Sequence, residues 1–436
     1  MSNSTSGAFK FPLPPGSTPS PANSHGKVTG LSGNEIYCLS KMGMTPGNLC
    51  IGNSVFSLGV LRSLTSGLKI LSGGEIPEIT KLIHEGRQKA FTRMTAEAHQ
   101  HGGLGITGAS SELVNHGSNI EFLSIGSVVH QKTADKNAQN EKMVFSSSAT
   151  AQELYCQMDS GFQPVQFVFG NVAYSIGVGG NIGGFFSSLK RGEVVEYSRV
   201  FDQTRHLALT RITDEARRCH ANAVVGIETT ITPFMGAQEM LMMGTASNHP
   251  SLANYSDNPV TSDMTNEELW NMVNLGYLPL RLVMGVSVYS LGFAGGLKAA
   301  FQSLGRGEIE TMTHLIYEAR EKALERIQRD AQKWGADEVV GVKTHVYDLG
   351  GGLIEFLAIG TAVKKVEGVT TKNENLPPQA IIRDRDTYFE GEGLTVDLGK
   401  RGASSSRSTQ RGPIAMIFGF MMFVFYIFLT FMGHHK

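Results

Sequence analysis

Three glutamates, Glu121, Glu239 and Glu355, each stand inside an otherwise apolar run. A carboxylate in such a setting can act as a general acid or base, can be neutralised by a cation across an interface, or can face water by strand alternation. Acid–base work needs a second group held beside it, and no His, Ser or Cys recurs next to the glutamate in all three places. Arginines recur in pairs as well, Arg87 with Arg93, Arg205 with Arg211 and Arg320 with Arg326. A spacing of six puts the two members on different sides of a helix, which suits interface or solvated ion pairing better than a shared anion clamp. Glu121, Glu239, Glu355, Arg205 and Arg320 are therefore candidates for contacts between like units.

Soft metals need thiolates or imidazoles that converge, commonly as Cys-x-x-Cys or as histidines at helical spacing. The nearest approach is His99 and His101, with Cys219 and His220 at the corresponding place further on, where a third such place carries Trp334-Gly335. These four residues are the candidate heavy-metal ligands, and no other cofactor is expected. His434 and His435 read as polar flank. The glycine run from Gly177 to Gly184 could cradle an anion through its amides, yet it has neither a dinucleotide nor a Walker spacing. Its counterparts, Gly292 to Gly296 and Gly59 to Gly67, lie beside apolar residues, so close packing is the expected use. Without a recurring catalytic constellation, no enzyme is expected.

The elements that position these residues repeat. The clearest unit has an apolar strand from Leu280 to Leu291, a glycine-containing loop to Gly307-Glu308, and a helix from about Glu310 to Trp334. Val339-Val340-Gly341-Val342, a polar turn at Gly350 to Gly352 and a strand from Leu353 to Val363 follow. Met312, Leu315, Ile316, Ala319, Ala323, Ile327, Ala331 and Trp334 fall on one helical face, which predicts its burial. The same order stands 115 residues earlier through Gly192-Glu193, Phe201, Ala208, Ile212 and Val224-Val225-Gly226-Ile227, and a further 118 earlier through Gly74-Glu75, Ile83, Ala90, Met94 and Ile106-Thr107-Gly108. Each unit reads strand, loop, helix, strand, turn, strand, an α+β pattern whose small sheet leaves edges and one face uncovered, so units should associate. The expected layout is a disordered segment 1–34, repeats over 35–130, 162–247 and 275–366, linkers over 131–161 and 248–274, a flexible stalk over 367–412 and a membrane helix over 413–433.

Gly335-Ala336-Asp337-Glu338-Val339-Val340-Gly341-Val342 with Glu355-Phe356-Leu357-Ala358-Ile359-Gly360-Thr361-Ala362-Val363 resembles the YbjQ family, which carries a heavy-metal-binding label. His220-Ala221-Asn222-Ala223-Val224-Val225-Gly226-Ile227 with Gly244-Thr245-Ala246 is similar to the same motif, and Gly103-Leu104-Gly105-Ile106-Thr107-Gly108 departs furthest from it. The resemblance implies three tandem dodecin-like βαββ repeats of a kind that in the family assemble as a pentameric ring.

The chain's 38 Lys and Arg and 39 Asp and Glu leave a net charge of −1, too little field for gathering nucleic acid. Its four cysteines form no close pair, which fits a reducing compartment. Ile414 to Met432 carries no charge and is long enough to span about 30 Å of hydrocarbon, with Ile414, Phe418, Phe420, Phe423, Phe425, Phe428 and Phe431 as its lipid-facing anchors. Lys400, Arg401, Arg407 and Arg411 precede it, so the body is expected on the cytoplasmic side of the cell membrane as a single-pass, tail-anchored protein. The expectation is a membrane-anchored homo-oligomeric scaffold for protein partners. A metal-binding or metal-sensing membrane protein and a pore-forming assembly are the alternatives.

Overall fold

The computed structural model describes residues 27–57, 74–116, 119–132, 144–175, 192–234, 237–290, 310–350 and 353–381. Three antiparallel-based sheets follow one another along the chain. The first repeat runs through α1 (Gly33–Lys41), β1 (Met44–Ser57), β2 (Gly74–Glu75), α2 (Pro77–Gln100), β3 (Gly105–His116) and β4 (Asn119–Gln131). The second runs through β5 (Phe145–Ser146), α3 (Ala151–Asp159), β6 (Gln163–Ser175), β7 (Gly192–Glu193), α4 (Val195–Arg218), β8 (Ala223–Phe234) and β9 (Ala237–Asn248). The third comprises β10 (Val260–Thr261), α5 (Asn266–Asn274), β11 (Tyr277–Ser290), α6 (Glu310–Lys333), β12 (Glu338–Gly350) and β13 (Leu353–Lys365), and a short α7 (Pro378–Ile381) follows.

Within each repeat the last strand lies between the first and the third, so the hairpin β3–β4 pairs back onto β1, and β6 and β11 are paired in the same way. The 24-residue helix crosses one face of its own sheet. Ile79, Ile83, Ala90, Met94 and Ala98 of α2 are buried at helical spacing, which is why this stretch folds as an amphipathic helix rather than as another strand. Helix and first strand meet at a glycine in every repeat. A Cβ on Gly52, Gly170 or Gly285 would lie 2.1, 2.4 or 2.0 Å from the carbonyl oxygen of Ala90, Ala208 or Ala323, so only hydrogen fits there. The third strand carries a bulge at Gly108, Gly226 and Gly341, with φ of 63°, 62° and 65°, where the pairing register shifts against the last strand.

The two-residue strands do not join their own sheets. β2 of the first repeat pairs with β6 of the second, and β7 of the second pairs with β11 of the third. Their sequence counterpart in the third repeat, Gly307-Glu308, lies outside the described residues. Each handed-on strand draws its helix over the next sheet, so α2 and α4 are covered on two sides. The cores are accordingly shared: Ile76, Ile79, Ile83 and Phe122 pack with Ala173, Phe234 and Ala237 of the second repeat, and Val168, Phe201 and Ile212 join Leu282, Met284 and Leu357 of the third.

Of the segments expected to be linkers, residues 144–161 and 248–274 carry regular structure. Thr150 and Glu153 close a capping box on α3, Thr265 and Glu268 close one on α5, and Ser32 and Glu35 close the same box on α1. Each nine-residue helix leads through a left-handed glycine, Gly43, Gly161 or Gly276, into the first strand of its repeat. β5 and β10 add parallel edge pairs to β3 and β8. These pieces belong to the repeat, and the polarity that reads as a linker comes from the capping residues. The stalk expectation is corrected at its start as well. Residues 367–381 fold back, Asn373 Nδ2 donates to Asp159, and Ala380 packs with Cys38, Cys156 and Trp270. Residues 27–34, expected as part of a disordered start, are also held, with Leu49 N donating to Val28 O at 2.8 Å.

Among the described residues no helix is long and apolar enough to cross a membrane. The segment 413–433 with its anchors Ile414, Phe418, Phe420, Phe423, Phe425, Phe428 and Phe431, and the glycine runs Gly59 to Gly67, Gly177 to Gly184 and Gly292 to Gly296, lie outside the described residues.

Gly170→Ala should cost about 1–3 kcal/mol, because its added methyl meets the backbone of α4 rather than a movable side chain; chemical denaturation of the purified protein reads this directly.

Candidate functional site

The residues singled out by chemistry gather at the two joints between repeats. At the first, Arg87 on α2 meets Glu239 on β9: Nε donates to Oε1 at 3.2 Å and Nη2 to Oε2 at 2.8 Å. Nη1 donates to the carbonyl and hydroxyl oxygens of Ser111 at 2.9 and 3.0 Å. At the second, Arg205 on α4 makes the same two-pronged contact with Glu355 on β13, at 3.2 Å to Oε1 and 2.8 Å to Oε2, and its Nη1 donates to Tyr174 Oη at 2.7 Å. Both pairs are closed to water, with side-chain exposures of 3% and 0% for the first and 0% and 0% for the second. Burial pushes the Glu355 carboxyl up, against the pull of Arg205, while Glu355 and Tyr174 hold the guanidinium charged against its own desolvation. The Tyr174 hydroxyl in turn donates to Gln238 Oε1 at 2.5 Å, and its ring and that of Phe201 lie against the guanidinium. A fork of fixed donors filled in this way fixes one orientation of one repeat on the next.

On α4 and α6 the second arginine pins a handed-on strand. Arg211 donates to Asn171 O at 2.8 Å and to Glu75 at 2.6 Å, and Arg326 donates to Val286 O and, at 2.5 Å, to Glu193. Arg93 donates to Asn53 O. On α4 the spacing of six thus serves two separate contacts, one with a repeat on either side.

The remaining sequence candidates stand elsewhere. Arg320 is exposed and lies over the Tyr317 ring at 5.7 Å. Glu121 accepts from Asn53 Nδ2 at 2.8 Å and pairs with His116 at 2.7 Å, and these hold its carboxyl below the usual range. His99 is exposed, and His101 is 3.9 Å from Glu97. Cys219 follows the last turn of α4 with its thiol donating to Ala216 O at 3.2 Å, and burial pushes that thiol up. His220 is exposed in the left-handed conformation at φ 59°, where the other repeats have Gly102 and Gly335 at 65° and 64°. It is the residue that turns the chain out of the helix. Among the described residues no three His, Cys, Asp or Glu side chains converge to hold a metal ion.

Titratable groups missed by the sequence reading line the same joints. His84 on α2 lies 3.6 Å from Glu215 on α4; burial lowers the imidazole and raises the carboxyl to about 7. At the second joint His206 lies 3.7 Å from Asp202 and 3.4 Å from Asp330. Burial opposes its charge, but the hydrogen bond with Asp330 and the charge of Asp202 hold it above the ordinary imidazole value. Glu215 has acidic counterparts in Glu97 and Asp330, whereas neither His84 nor His206 has a histidine at its matching positions, so recurrence could not expose the pairs.

An α+β array of like units locked by buried ion pairs defines the protein as a tandem-repeat assembly. The profile of the YbjQ family, described as "Putative heavy-metal-binding", matches residues 45–134, 161–249 and 277–366, and the chain belongs to this family in three tandem copies. An encapsulin nanocompartment protein of Mycobacterium tuberculosis is 31% identical over 47% of this chain and 78% of its own length. A UPF0145 protein of Thermoplasma acidophilum is 39% identical over 23% of this chain and 88% of its own, and one of Thermosipho africanus is 45% identical over 20% and 79%. No solved structure matches the chain.

Arg205→Met, which strands Glu355 in the core, should cost about 3–5 kcal/mol, whereas Arg205→Met with Glu355→Leu should cost clearly less; denaturation midpoints of the two variants test the order. Glu215 has a folded pKa of about 7 against an ordinary 4.5, so its contribution is complete below about pH 4.5 and is lost as the pH rises through about 7. Stability measured across that window should fall less steeply in Glu215→Gln than in the unaltered chain.

Proposed function

We propose that this chain is a non-enzymatic assembly scaffold whose repeats form a platform for protein partners. The observation that carries the reading is the use made of the recurring charged groups: Arg87, Glu239, Arg205 and Glu355 are consumed in joining one repeat to the next, buried and without room for a substrate between them. Arg211 and Arg326 are spent on the handed-on strands in the same way. The similarity to a protein named for a nanocompartment supports a role in assembly rather than in turnover. The apolar stretch Ile414 to Met432, preceded by Lys400, Arg401, Arg407 and Arg411, supports a single tail anchor that holds the platform at the cytoplasmic face of the cell membrane. The heavy-metal label has no set of three converging ligands behind it among the described residues.

Fractionation of cells expressing the full chain should find it with membranes, and removal of the residues beyond Arg411 should release a soluble particle of several copies. A truncated chain that stays as a single copy at micromolar concentration and captures no partner would overturn the scaffold; a truncated chain that still sediments with membranes would overturn the anchor.

A further inference from the structure

The two internal joints use the same surfaces twice, and each surface is present three times. One surface is the outer side of the sheet. In the second repeat Phe169, Asn171 and Ala173 of β6 face α2, and in the third Met284, Val286 and Val288 of β11 face α4; all six are buried. Their counterparts on β1 are Ile51, Asn53 and Val55, of which Ile51 is 45% and Val55 57% exposed. The other surface is the outer side of the helix. Thr80, Ile83 and Arg87 on α2 and Ser198, Phe201 and Arg205 on α4 are buried by the following sheet. On α6 the corresponding Thr313 and Arg320 are exposed and Ile316 is only half-buried.

The described array therefore has one unused surface left over at each side: an arginine without the buried glutamate its two sisters have, and a glutamate without the buried arginine. Glu121 is met meanwhile by His116, itself half exposed, and Arg320 by the ring of Tyr317. We infer that a second copy of this chain docks head to tail, the α6 face around Arg320 of one copy on the β1–β4 face around Glu121 of the next. The occupant follows from charge and shape already shown: the same helix face fits the same sheet face at both internal joints, with the same two-pronged ion pair at the centre. Such an interface is heterologous, each copy using two different surfaces, so it propagates until the rotation closes a ring. The inference rests on the scaffold reading and specifies how its copies meet.

The test is a charge exchange in the full chain purified in detergent. Arg320→Glu sets two carboxylates against each other at the contact, and Glu121→Arg sets two guanidinium groups. Each variant alone should weaken association at least 100-fold and run as a single chain at concentrations where the unaltered protein is multi-copy, by light scattering or native mass spectrometry. Mixed one to one, the two variants should regain the multi-copy mass, because the altered end of each complements the altered end of the other. Circular dichroism of each variant should match that of the unaltered chain, and its melting midpoint should match that of the unaltered chain diluted to the single-copy state, showing that the loss is not misfolding. A multi-copy mass that survives either substitution would overturn this contact while leaving the scaffold standing. An unaltered chain that is single at tens of micromolar, or a mixture that stays single, would overturn it as well.

Discussion

A guanidinium removed from water costs several kcal/mol unless a carboxylate meets it squarely, and the described residues contain two such meetings, Arg87 with Glu239 and Arg205 with Glu355. Each links a helix of one repeat to the last strand of the next. Their contribution to net stability is modest by nature, because desolvation offsets most of the attraction; what they supply is selectivity. A repeat that slid by one residue along its neighbour would strand both charges in an apolar core. The pairs therefore set the register in which the larger apolar contacts, such as Phe201 and Ile212 with Met284 and Leu357, are made.

The other features serve that register. Glycines at 52, 170 and 285 bring helix and strand within backbone contact, which fixes how far the arginine-bearing helix stands above its own sheet. The strands Gly74–Glu75 and Gly192–Glu193 tie that helix to the following sheet, and Arg211 and Arg326 hold the ties from the other side. Close approach, strand exchange and ion pair constrain the same rigid-body relation. That agreement explains why two joints with different side chains, Phe169 at one and Met284 at the other, have the same geometry.

Much of this was written legibly in the chain. Apolar spacing on the helices, the recurring glycine–glutamate dipeptides and the valine-rich third strands identify three α+β units. Recurrence also marked the arginines and glutamates. What it could not reveal was that Arg205 pairs with Glu355, 150 residues away in a different unit, since a repeat's sequence does not say whether like residues meet within a unit or between units. The short helices were hidden for another reason. Ser32, Thr150 and Thr265, each with a glutamate three residues on, are a legible helix start at the same offsets as the repeats, but their polarity and the brevity of the nine-residue helices made them look like connectors. His220 misled in the opposite direction: a residue type that binds metals stands where backbone shape calls for glycine.

The Gly–Glu strands are handed forward, each from its unit to the one synthesised after it. During translation the helix Pro77–Gln100 leaves the ribosome with one flank of its apolar surface uncovered, and the strand that covers it, Gln163–Ser175, is made later. At about 5–20 residues per second, this leaves that flank bare for seconds, and the interval recurs for the helix Val195–Arg218. A nascent chain of this design carries one uncovered helix flank at its growing side through much of its biosynthesis.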